Sequence, residues 1–224
     1  MNPFDASILH FVNSFAGRWP KFDQVVVMIS WLHLVKGGVL TLLLWWAWFS
    51  GRPAARETVS ATLLGSFCAL GAARGLSNLV PFRTRPILDA GLHFMPPVSM
   101  DGAGLINWSA FPSDHAALFI GLSTGLWFVS RKAGLLAFAY TIAMILFPRL
   151  YIGAHAPTDL IVGAAIGAAL VSVACAPPLC DRIGRAVIAQ EERRGALFYP
   201  LLFLVTFETA ELVMPLSVGC ARSS

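Results

Sequence analysis

The sequence predicts an all-α integral membrane protein: a helical bundle of about six transmembrane helices with an interfacial helix at the N-terminus. Two observations support this fold class. Of the 224 residues, 57% are hydrophobic and 12% are charged, whereas a soluble domain carries about a quarter charged residues. Apolar runs close to the length of about 20 residues that crosses a bilayer recur along the whole chain. We therefore expect residues 1–224 to form a single membrane-embedded domain.

The apolar runs predict the elements in chain order. Residues 5–16 place apolar side chains on one stripe, typical of a helix lying on the membrane, with Asp5 positioned to cap it. Six spans follow, at residues 33–50, 57–79, 113–129, 133–148, 157–176 and 196–214. Small residues crowd the fifth span around Gly163 and Gly167, which favours close helix packing. Residues 81–110 form a polar loop too long to be a simple connector. Residues 177–195 form a charged connector before the sixth span.

Basic residues fall unevenly on the two sides of this bundle. Cytoplasmic loops carry an excess of lysine and arginine. The side expected to face the cytoplasm has eight: Arg52, Arg56, Arg131, Lys132, Arg182, Arg185, Arg193 and Arg194. Both termini and the long polar loop then face the exterior or periplasm.

The sequence FPSDHA opens the third span. Ser113 is a natural N-cap, and the free N–H groups of a helix start, together with the helix dipole, favour an anion. His115 follows in the first turn. Taken alone, this motif is equally typical of a capped helix with an interfacial histidine.

A second motif is Arg149-x5-His155-x3-Asp159. The spacing lets Asp159 accept a hydrogen bond from one ring nitrogen of His155, which leaves the other nitrogen free as a nucleophile. Arg149 can clamp phosphate oxygens with two parallel hydrogen bonds. A third motif, PFRTRP, supplies Arg83 and Arg85, which alone would suit anchoring to lipid headgroups.

Together the three motifs resemble those of the type 2 phosphatidic acid phosphatases, or lipid phosphate phosphatases, a superfamily that shares its active site with the vanadium haloperoxidases. The resemblance covers roughly residues 74–170 and is carried by Arg85-Pro86, Pro112-Ser113-Asp114-His115 and Arg149-x5-His155-x3-Asp159. It implies that His155 attacks phosphorus, that Asp159 orients it, and that His115 acts as general acid and then base. The implied phosphate ligands are Arg85, Arg149, Ser113 and the backbone N–H of Asp114. No metal and no other cofactor is implied, and the four scattered cysteines lack metal-ligand spacing.

The chain departs from the family pattern at the phosphate site. Asn78 stands where the pattern has a lysine; Arg74, one helical turn earlier, and Arg83 are candidates to replace that cation. Asp114 replaces a glycine, and its side chain is expected to turn away from the anion. Glu208 or Glu211 is also expected to pair with Arg74 or Lys36 near the site, because buried charges in a bilayer are usually paired. The alternative is that these side chains extend to the lipid headgroups.

The variant of the FPSDHA motif with Asp114 in place of glycine is similar to that of bacterial phosphatases acting on undecaprenyl diphosphate. The resemblance therefore implies an inner-membrane enzyme with a periplasmic site that hydrolyses this lipid. Phosphatidylglycerol phosphate, phosphatidate and lipid A phosphates remain open as substrates. The alternative function is that of a non-catalytic lipid-binding or transport protein, which Asn78 in place of the lysine favours. A haloperoxidase is not expected, because those enzymes are soluble as a class. We expect lipids as partners and no nucleic acid, and the oligomeric state is not predicted.

Overall fold

The computed structural model describes residues 1–32, 34–98, 100 and 105–211, and within these ranges it is helical, with no strand. The helices are α1 (Pro3–Asn13), α2 (Pro20–Trp31), α3 (Val39–Trp48), α4 (Pro53–Leu79), α5 (Asp114–Val129), α6 (Arg131–Tyr140), α7 (Phe147–Tyr151), α8 (Pro157–Ala174) and α9 (Pro177–Glu211). Two π-helical stretches interrupt this series. Leu34–Gly38 precedes α3, and Thr141–Leu146 joins α6 to α7.

Helix α5 lies at the centre of the bundle, packed against α4, α6 and α8. Every residue from His115 to Leu126 is buried, because the helix is apolar around its whole circumference. Its N-terminal end carries the FPSDHA motif, so the motif is held in the best-packed part of the molecule.

Two glycines let α8 approach α5 closely. A Cβ atom added to Gly163 would lie 2.2 Å from the carbonyl oxygen of Ser113, and one added to Gly167 would lie 2.1 Å from that of Ala117. No side chain fits at either position. The expected close packing of the fifth span is therefore present, and it sets the spacing between the helices that carry His115 and Asp159.

Among the residues that the structure describes, three helical segments are long and apolar enough to cross a membrane: Pro53–Leu79, Arg131–Tyr151 and Pro157–Ala174. A fourth candidate is the pair Pro20–Trp31 and Leu34–Trp48, bent by 67°, if it counts as one span. Helix α5 is apolar but has only 16 residues. The protein is thus an all-helical, multi-pass membrane protein, and the expected number of six spans is not confirmed.

Two local expectations were wrong. Residues 177–195 are not a loop but the first part of α9, which is interrupted at Arg194, where the backbone is non-helical; its alanines, arginines and glutamates are good helix formers. Asn2, not Asp5, caps α1 by accepting the N–H of residue 5 at 2.7 Å. The side chain of Asp5 is fully buried instead. The expected pairing of Glu208 and Glu211 lies outside the described side chains.

Candidate active site

The starts of α5 and α8 are tied together at Ser113. Its hydroxyl accepts the N–H of Ala116 at 3.3 Å, which caps α5 as expected, and its own N–H donates to the main-chain oxygen of Asp159 at 3.0 Å. Ser113 is completely buried. Its observed contacts are those of a helix cap, and direct contact with phosphate stays a prediction.

His155 lies in the short loop between α7 and α8, with 2% of its surface exposed. Its Nδ1 donates to the carbonyl oxygen of Ala110 at 2.9 Å, because a carbonyl can only accept. The neutral ring therefore keeps a lone pair on Nε2, which lies 3.4 Å from Nη1 of Arg85. Burial, followed by the charge of Arg85, holds the pKa of His155 well below its usual value near 6.5, so the ring is uncharged at neutral pH.

Asp159 does not make the hydrogen bond that its spacing predicted. Its Oδ2 is 4.0 Å from Nδ1 of His155, beyond hydrogen-bonding distance, and accepts the N–H of Ala156 at 2.7 Å instead. The first turn of α8 folds the carboxylate back onto its own helix start, so Ala110 takes the expected place. Asp159 thus fixes the backbone next to His155, and its expected role in orienting the ring stays a prediction.

Arg83 contacts carboxylates and does not line the cavity described below. Its Nη1 donates to Oδ1 of Asp159 at 2.6 Å and its Nη2 to Oδ2 of Asp5 at 2.5 Å. Both carboxylates are fully buried. Arg83 was a candidate phosphate ligand, but in the structure its guanidinium is held by ion pairs with Asp5 and Asp159.

His115 is held on both sides. Its Nδ1 lies 2.9 Å from Oδ1 of Asp114, and its Nε2 lies 2.5 Å from Nη2 of Arg149. Since the carboxylate accepts and the guanidinium donates, the proton of this ring is on Nδ1. The expectation that Asp114 turns away was wrong: its carboxylate orients His115 and also lies 3.5 Å from Nε of Arg74.

A cavity of about 470 Å³ opens beside these groups. Its polar lining includes Arg74, Ser77, Asn78, Arg85, Asp114 and His155. Phe82 and Trp108 contribute apolar walls. Arg74 and Asn78 thus line the same cavity as His155, and their contact with phosphate stays a prediction. The ring centroids of His115 and His155 are 6.4 Å apart.

Three of these side chains could also hold a metal ion. Asp114, His115 and His155 each offer one ligand atom, and the three atoms lie within 4.8 Å of one another. A metal there would take the lone pairs of both histidines. The sequence-based expectation of chemistry without a metal stays a prediction.

Two side-chain contacts of the site were not predicted. The backbone N–H of Asp114 was expected to bind phosphate, which stays a prediction, but the contact of its carboxylate with Nδ1 of His115 was not foreseen. Asp5 was assigned to a helix cap, and no signal in the sequence links it to a motif more than 70 residues away.

Fold and site together define a class: a multi-pass helical membrane protein with two histidines and several arginines around one cavity. A sequence model of the PAP2 superfamily matches residues 32–176, well over half of the chain. The chain therefore belongs to the PAP2 superfamily, whose members are phosphatases. The matched range contains all three motifs and leaves out α1, α2 and α9. Searches of curated proteins and of solved structures found no match.

Proposed function

We propose that the protein hydrolyses undecaprenyl diphosphate to undecaprenyl phosphate and inorganic phosphate through a phosphohistidine on His155. The observation that carries the proposal is the unprotonated Nε2 of this buried, uncharged ring, which lies in the wall of the cavity and accepts a long hydrogen bond of 3.4 Å from Arg85. A neutral imidazole with its second nitrogen fixed by a hydrogen bond is a competent nucleophile.

In the first step Nε2 attacks the terminal phosphorus, and the bond from phosphorus to the bridging oxygen breaks. The electron pair leaves with undecaprenyl phosphate. Arg85 and Arg74, which line the cavity, offset the negative charge of the phosphoryl oxygens. Arg149 turns from His115 to these oxygens when the phosphate enters, and Nε2 of His115 then takes up a proton from solvent, while Nδ1 keeps its own proton on the hydrogen bond to Asp114. This proton passes from Nε2 to the leaving oxygen as the bond to phosphorus breaks, and the ring returns to its neutral form.

In the second step His115 takes a proton from water as the water oxygen attacks phosphorus. The bond between phosphorus and Nε2 of His155 breaks, and inorganic phosphate leaves. The hydrogen bond that Nδ1 donates to Asp114 keeps His115 in one orientation through both proton transfers. His115 thus serves as acid and then base.

The proposal includes a site facing the periplasm of the bacterial inner membrane. The distribution of basic residues supports it, since eight of the 16 lysines and arginines lie in the segments expected on the opposite side, within residues 52–56, 131–132 and 182–194. A periplasmic site suits a carrier lipid that must lose a phosphate after its load has been transferred.

Phosphate release by the purified protein in detergent tests the proposal. Undecaprenyl diphosphate, phosphatidylglycerol phosphate, phosphatidate and lipid A are offered side by side to wild type, His155→Ala and His10→Ala; His10 is an exposed histidine of α1 and serves as the control. We expect the first lipid to be preferred and only His155→Ala to be inactive. Preference for another lipid would contradict the proposed substrate, and phosphate release by His155→Ala would contradict the proposed mechanism.

A further inference from the structure

The side chain of Asp5 connects α1 to the start of α8. It is completely buried. Its Oδ1 accepts the N–H of Thr158 at 2.9 Å, and its Oδ2 accepts the hydroxyl of Thr158 at 2.6 Å. Burial acts to raise the pKa of Asp5, but the hydrogen bonds from Thr158 and Arg83 outweigh it and the pKa is lowered. The group is therefore a buried carboxylate anion in a helix outside the range matched to the PAP2 superfamily.

Arg83 links Asp5 to the loop that contains His155. One guanidinium nitrogen donates to Asp5, and another donates to Asp159 at 2.6 Å and to the hydroxyl of Thr158 at 2.8 Å. Asp159 in turn holds the N–H of Ala156, the residue that follows His155. A continuous chain of charged hydrogen bonds thus runs from α1 to the backbone beside the nucleophile.

We propose that Asp5 is a positioning residue that fixes the catalytic loop through Arg83 and Asp159. The inference rests on the proposed function of His155 as nucleophile. Two carboxylates surround one guanidinium, so the cluster carries a net negative charge. When Nε2 of His155 bonds to phosphorus, Nδ1 keeps its proton and the ring becomes positive. Asp159 lies 4.0 Å from Nδ1 of that positive ring, and Asp5 holds Asp159 in place through Arg83.

Docking of α1 has other supports, so the charge of Asp5 can be removed while the helix stays in place. Leu9 is buried against Leu92 and Ala156. Asn13 donates to the carbonyl oxygen of Met95 at 2.7 Å and accepts its N–H at 2.9 Å. Asp5→Asn keeps the size of the side chain and leaves all of these contacts.

The test compares Asp5→Asn with wild type in the full-length protein, by kcat, KM and thermal unfolding in detergent. We expect kcat to fall about tenfold, less than the order of 10²-fold that a 1 Å misplacement costs. We expect KM to stay within about twofold, because Asp5 does not line the cavity. The matched control is Ser7→Ala, an exposed residue of the same helix whose hydroxyl bonds only within α1; it should match wild type.

A double-mutant cycle separates positioning from simple loss of structure. If Asp5 acts through Arg83, Asp5→Asn should lower kcat by less than about twofold when Arg83 is already Gln. Equal losses in both backgrounds would overturn the inference. So would an unchanged kcat, or a loss of kcat that appears only together with a large drop in melting temperature.

A readout without lipid substrate keeps this inference distinct from the proposed function. If wild type releases no phosphate from any lipid, the proposed function fails. The rate at which diethyl pyrocarbonate modifies Nε2 of His155, followed by mass spectrometry, then decides the role of Asp5. A rate altered in Asp5→Asn but not in Ser7→Ala supports positioning, and equal rates in all three proteins overturn it.

Discussion

Gly163→Ala is the substitution that most directly tests how the bundle sets the geometry of the site. The added Cβ would lie 2.2 Å from the carbonyl oxygen of Ser113, whereas contacts under 3.0 Å essentially never occur. The start of α5 must therefore move away from α8 by about 1 Å. Ser113 caps the helix whose first turn carries His115, so the shift separates the two histidines.

We expect this variant to lose on the order of 10²-fold in kcat, the usual cost of a 1 Å misplacement, and about 1–3 kcal/mol of stability from overpacking. The assay is phosphate release with thermal unfolding in parallel. Gly71→Ala is the matched control, because a Cβ there meets nothing within 4 Å and alanine favours a helix. Activity of Gly163→Ala within about twofold of wild type would refute the reasoning.

Three further predictions concern charge at the site. Because the pKa of His155 is lowered, its contribution to stability is complete above pH 6.5 and falls by about 1.4 kcal/mol per pH unit below it; unfolding measured at a series of pH values should give a slope smaller by about this amount in His155→Gln than in wild type. Arg74→Gln should raise KM about tenfold by removing a charged phosphate contact, whereas Asn78→Lys should lower it; unchanged KM values would exclude both residues from phosphate binding. EDTA should leave kcat intact, and added Zn²⁺ should inhibit by binding Asp114, His115 and His155; loss of activity in EDTA would instead indicate a required metal.

Local features of the site could be predicted because neighbouring residues determine them. The cap by Ser113 follows from a serine before an apolar helix, and the tight packing of Gly163 follows from small residues in a span. Both depend on a few adjacent positions, and both are present in the structure.

Contacts between distant segments could not be predicted in this way. The spacing of His155 and Asp159 suggested a hydrogen bond, but the partner is the carbonyl of Ala110, 45 residues away in the chain. Arg74 and Arg83 were equally plausible substitutes for the missing lysine. Only tertiary packing separates them, since Arg74 lines the cavity while Arg83 is held by the buried carboxylates of Asp5 and Asp159.

The measurement that tests the central claim most directly is the trapping of the covalent intermediate. Wild type and His115→Gln are mixed with undecaprenyl diphosphate, quenched in alkali, where phosphohistidine survives, and digested for mass spectrometry. We predict phosphate on His155 and on no other residue, and slower loss of this phosphate in His115→Gln, because that variant lacks the base that activates water. Turnover by wild type with phosphate on another residue, or with none bound in either protein, would contradict the role of His155 as the nucleophile.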